Sequence, residues 1–162
     1  MPNERLKGRT DAMKWVVLAH IMSGATWFGG QVFVEALMAS AVRTGDPETI
    51  MTIGVRVGKT SSRIFSIAGI LAVIFGVWIV LNSLYTFEML FVTLGFAFTI
   101  IALAFGFFII KPKDVELDAL IAEKGFLDPE TMAFAKSVGN LAHVQTLLVT
   151  IVMILMVLQP GV

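Results

Sequence analysis

Four uninterrupted apolar runs dominate this chain and leave it few folds to choose from. They cover Trp15–Leu37, Ile64–Leu84, Met89–Ile110 and Gly139–Leu158. Each is about 20–23 residues, the length an α-helix needs to cross roughly 30 Å of hydrocarbon. No proline interrupts them. None alternates with period two, which argues against strands, and a lone apolar segment in lipid must satisfy its own backbone hydrogen bonds, as a helix does. The expected fold is all-α, a four-helix transmembrane bundle forming one domain over residues 1–162, multi-pass in the cell membrane with the lipid bilayer around it.

Charge supports this. Only 15% of residues are charged, against about 25% in soluble domains, and they cluster between the apolar runs. Net charge is zero and there is no cysteine. Nothing therefore points to nucleic acid, and disulfides, thiolate metal sites and a cysteine nucleophile are excluded. The polar N-terminal lead runs to Lys14 and no small-x-small cleavage site follows the first run, so that run is expected to act as an uncleaved signal anchor.

The connections carry further information. Asn82–Glu88 is short and has no basic residue, which predicts a close hairpin between helices two and three. The other two connections, Arg43–Arg63 and Lys111–Ser137, repeat one tetrapeptide, as Asp46-Pro47-Glu48-Thr49 and Asp128-Pro129-Glu130-Thr131. Asp caps free N–H groups, Pro suits the first helical position and Glu suits the positive end of the helix dipole. Helices two and four should therefore begin outside the bilayer, with Gly45 and Gly125 as stops for whatever precedes each cap. The repeat is compatible with two related helical hairpins. Asp114–Lys124 reads as a short surface helix. Eight of the twelve Lys and Arg lie in the two long connections and four in the N-terminal tail. The positive-inside rule then places the long loops in the cytoplasm and both termini outside.

Helix one is unusual. His20, Ser23, Gly24, Trp27, Gln31 and Glu35 recur at three- and four-residue steps and share one face, while Leu18, Met22, Ala25, Val32 and Ala36 form an apolar face opposite. Ionisable groups in hydrocarbon are costly and normally face a bundle interior or a cavity. Glu35 has a plainer role available, at the interface or paired with an arginine from the long loop. Helix four carries Gly139, Asn140, His143, Thr146 and Thr150 on a broad arc. Small residues on helix two (Ser62, Ser66, Gly69, Gly76) and helix three (Gly95, Thr99, Ala102, Gly106) predict close helix packing. His20, with Trp27 and Gln31 beside it, is the candidate cofactor-binding set. His20 and, less directly, His143 are the candidate metal ligands, and Glu35 and Asn140 are further intramembrane polar groups. His20 and His143 start from opposite membrane boundaries, which leaves roughly 15 Å between their levels. They are not expected to ligate one haem within a single chain.

The stretch His20-Ile-Met-Ser-Gly-Ala-Thr-Trp27-Phe-Gly29-Gly30 resembles a first-helix pattern of histidine, tryptophan and paired glycines found in several small bacterial membrane families. These include the copper-resistance D-type family and the membrane protoporphyrinogen oxidase that binds haem b. The chain is most similar to a family of four-helix integral membrane proteins of unknown function. It shares Gly45-Asp46-Pro47, Arg63-Ile-Phe, Gly76-Val-Trp78 and the ending Leu158-Gln-Pro160-Gly161. The resemblance implies the bundle fold and a ligand role for His20, with haem b or copper as the group bound. Neither helix two nor helix three carries a Lys or Arg in its span, where those oxidases have a basic residue.

Three functions follow as expectations. The first is a haem- or metal-binding redox or copper-related component. The second is a non-catalytic subunit or assembly factor that packs against a membrane-complex partner. The third is a small-solute or ion permease working as a homo-oligomer, with His20 and Glu35 lining the path. No nucleophile, phosphate loop or nucleotide fingerprint is present, which weighs against an enzyme.

Overall fold

A computed structural model describes residues 2–161, with side chains from residue 11 onward. Four helices long and apolar enough to span a membrane make up the fold, and no strand occurs among the described residues. They are α1 (Pro2–Thr44), α2 (Pro47–Asn82), α3 (Leu90–Lys124) and α4 (Pro129–Leu158).

The repeated tetrapeptide starts two of them. Asp46 accepts from the backbone N–H of Glu48 at 3.3 Å and of Thr49 at 3.0 Å. Asp128 accepts from those of Glu130 at 2.9 Å and Thr131 at 3.2 Å. The glycine before each cap has positive φ, +69° at Gly45 and +93° at Gly125, which ends the preceding helix at low steric cost. What reads as the long connection Arg43–Arg63 is thus almost all helix. We call the end of the bundle bearing both caps the capped end.

One expectation is corrected. Asp114–Lys124 is not a separate surface helix but the continuation of α3. Pro112 lacks an N–H and its ring crowds the carbonyl four residues back, which in a regular helix causes a break. Here a π-helical turn at Gly106–Ile110 widens the backbone immediately before it, and the rod continues. A second π turn, Ile53–Val57, lies within α2.

α1 packs chiefly on α2 and α3 chiefly on α4, so the bundle is two antiparallel hairpins side by side, with α1 also touching α4 and α2 touching α3. Lipid offers apolar side chains no penalty, so close van der Waals fit and interhelical hydrogen bonds must hold such helices together. The fit uses the predicted small residues. Gly69 of α2 receives the Trp27 indole and Leu103 of α3, and a Cβ placed there would lie 3.3 Å and 2.8 Å from them. Gly30 receives the ring of Phe65 and Gly95 the end of Met156. At the centre, each helix contributes one residue to a buried layer of Trp27, Ala68, Ala102 and Val149. Large apolar side chains such as Ile67, Ile74, Phe108 and Ile154 face outward, as a bilayer-embedded surface requires.

Candidate functional site

α1 divides along its length as its periodicity implies. Leu18, Met22, Ala25, Val32 and Ala36 are exposed, Ser23, Trp27 and Gln31 are buried, and His20 and Glu35 are half-buried. The polar groups therefore face the bundle interior, and Met22, a conceivable copper ligand, turns away from His20.

Near the end opposite the caps, the His20 Nδ1 lies 2.9 Å from the Ala72 carbonyl oxygen. A carbonyl only accepts, so Nδ1 is the donor of this hydrogen bond. Gly76 makes this approach possible. A Cβ there would stand 3.2 Å from the His20 Cε1. One turn further along α1, the Ser23 hydroxyl donates to the Ala19 carbonyl within its own helix. The Trp27 layer follows and closes the interior with apolar contacts.

Beyond that layer the interior becomes polar again. Gln31 is only 6% exposed, and its Oε1 has no hydrogen-bond partner among the described residues. Glu35 Oε1 lies 3.1 Å from His143 Nδ1 of α4, an ion-pair distance without hydrogen-bond alignment. The expected arginine partner of Glu35 is thus replaced by a histidine. Gln145 of α4, which the sequence reading did not single out, also holds a buried Oε1 without a partner. The signal for it was weak: one amide in an apolar run, about 200° around the helix from His143 and off the arc that carries the threonines. Asn140 is exposed.

Glu35 and His20 are fifteen residues apart on α1, so contact with Glu35 puts His143 about 22 Å from His20 along the helix axis. The structure does not bring the two histidines together. No group of three or more His, Asp or Glu able to hold a metal ion occurs among the described residues. The interior arrangement is two polar stations on one face of α1 with an apolar layer between them. The station near the caps presents acceptor oxygens lacking donors, which chemically suits a water, a donor-bearing solute or a cation.

The family model described as "Predicted integral membrane protein (DUF2269)" matches residues 14–160, nearly the whole chain. No curated protein and no solved structure matches. The chain belongs to this family of integral membrane proteins.

Proposed function

We propose that this member of an integral membrane protein family is a permease for a small polar solute or ion, assembled as a homo-oligomer, with the interior face of α1 lining its path. One observation carries the proposal: polar groups on both sides of the Trp27 layer face the interior rather than lipid. Keeping unpaired acceptors inside hydrocarbon is costly, and intramembrane ionisable groups commonly mark substrate or ion pathways. Trp27, Ala68, Ala102 and Val149 close the interior of one chain, so in this reading packing against a second copy shifts the helices and opens that layer. In this reading the protein lies in the cell membrane with its long connections and capped end in the cytoplasm, because eight of the twelve basic residues lie there.

Reconstitution into liposomes tests this. Uptake of small monovalent cations, protons or small neutral solutes should exceed that of empty liposomes. Glu35→Gln should lower it by about tenfold or more, as expected when a charged group that stabilises a permeant cation is lost. Protein-containing liposomes that take up none of these faster than empty ones would sink the proposal.

A second reading has its own support. The hydrogen bond to Ala72 engages Nδ1 of His20 as a backbone carbonyl does in metal-bound histidines, so Nε2 is the nitrogen that would ligate. The resemblance to copper-resistance and haem-binding families points the same way. A haem held by both histidines of one chain does not fit, because His143 stands about four turns away. Two grooves, one lined by Asp46, Glu48 and Thr52 and one by Met22, Ser23 and Leu71, are open to the surface and are not lined by His20. A second axial ligand would have to be a different side chain, a water or a group from another chain. A Soret band or stoichiometric copper in detergent-purified protein would favour this reading over the first.

A further inference from the structure

Four buried side-chain oxygens stand without hydrogen-bond partners toward the capped end: Oγ1 of Thr131 in the first turn of α4 and, deeper in the bundle, Oε1 of Gln31, of Gln145 and of Glu35, and the deeper three are the ones considered for a shared ligand. They come from both hairpins, Gln31 and Glu35 from α1 and Gln145 from α4. Two contacts fix the register of these antiparallel helices. His143 meets Glu35, and the Met153 sulfur lies 3.8 Å from where a Cβ on Gly24 would sit. Counting from the first contact, Gln145 lies about 3 Å and Gln31 about 6 Å deeper than Glu35, so all three fall within roughly one helical turn. The π turn of α3 begins at the same level, where Gly106 faces the Gln145 amide, 3.7 Å from where its Cβ would be. π turns recur at functional sites, and a glycine there leaves the amide room. The basic residues nearest this level, Arg63 of α2 and Lys111 of α3, are both exposed and do not occupy the interior.

We propose that Glu35, Gln31 and Gln145 bind one monovalent cation, an alkali metal ion or ammonium, between the two hairpins. The donor set is all oxygen, which suits hard cations rather than copper or zinc. It carries a single formal charge, so one monovalent ion leaves the site neutral, whereas a divalent ion leaves an uncompensated charge in low dielectric. Amide oxygens replace the ion's water shell, as carbonyls do in channel filters. With no ion bound, His143 is the neighbour that the Glu35 carboxylate has. The inference builds on the path proposed above and names what it takes. A site can bind without passing its ligand, so binding and flux are read separately.

The test is thermal unfolding of the full chain in nanodiscs, titrated with sodium, potassium or ammonium chloride against N-methylglucamine chloride at constant ionic strength. At least one small cation should raise the midpoint saturably, by about 3 °C for a chain of this size. Glu35→Gln, which keeps the side-chain shape, should weaken the apparent affinity at least about tenfold, the loss expected when a charged partner becomes neutral. Gln31→Leu with Gln145→Leu should abolish the rise. If those replacements disturb folding, Glu35→Gln alone and sodium-23 line broadening decide the matter. Identical midpoints in all four salts would overturn the inference and assign the oxygens to water. An unchanged response in Glu35→Gln would overturn it too, because the ion would then sit elsewhere. Binding without flux would leave this site standing and remove the permease; flux with no saturable binding would do the reverse.

Discussion

His20 illustrates how little stability a membrane-embedded polar residue need contribute. Its hydrogen bond to Ala72 crosses from α1 to α2, and interhelical bonds of this kind average about 0.6 kcal/mol because the unfolded chain in lipid also finds partners. His20→Leu should therefore lower unfolding stability in detergent by about 0.6 kcal/mol, and by no more than about 2 kcal/mol. A measured loss far above that range would show His20 holding more than Ala72. Its facing direction was legible from three- and four-residue spacing, since α1 has one continuous apolar stripe and only one orientation keeps that stripe in lipid. Gln145 was not legible in the same way. The polar residues of α4 spread around the helix, with Asn140 and His143 largely exposed and Gln145 inward, and no stripe decides among them.

At the scale of the element, the Asp-Pro-Glu-Thr caps are where local sequence and structure agree most closely. Each supplies acceptors for two otherwise orphaned N–H groups. Asp128→Ala should cost about 1 kcal/mol and speed hydrogen exchange in the first turns of α4. Exchange unchanged there would mean that packing, not the cap, holds that end. At Asp46, the Thr49 hydroxyl, the Thr49 N–H and the Glu48 N–H hold the carboxyl below its ordinary value of 3.8. A carboxyl whose pKa falls on folding contributes stability above its unfolded value and loses it as pH falls through the folded one. Fraying at Pro47–Thr52 should thus begin below about pH 4 and be absent at neutral pH, which amide exchange across that range measures. The course of α3 was not legible. Pro112 after an apolar run is an ordinary stop signal, and the π turn just before it, through which the helix runs on, has no simple sequence signature.

That the fold is four membrane-length helices could be read directly, because bilayer thickness fixes the length of an apolar run. Which helices pair most closely could not: the short turn Asn82–Glu88 predicts a close α2–α3 hairpin, yet α1 packs chiefly on α2 and α3 on α4, since small residues line both α2 and α3 and suit several neighbours. The charge asymmetry makes a prediction for the whole molecule. The chain has no cysteine, so single cysteines can be placed at Glu48, Glu123 and Glu88 without background. With the capped end in the cytoplasm, an impermeant thiol reagent applied to intact cells should label the Glu88 position in the turn after α2 and spare the other two. The reverse pattern would invert the orientation and with it the direction from which the Gln31 station is reached.

Helix pairing also has a mechanical consequence. Within each hairpin the two helices adjoin closely, whereas between hairpins the contact is thinner, so the molecule has a seam running the length of the membrane. Glu35 and His143 meet across it, and Gln31 and Gln145 lie on its opposite banks. Whatever satisfies those oxygens acts as a clasp on the seam. By linkage, anything that loosens one hairpin from the other weakens the clasp by the same free energy that the clasp adds to their closure.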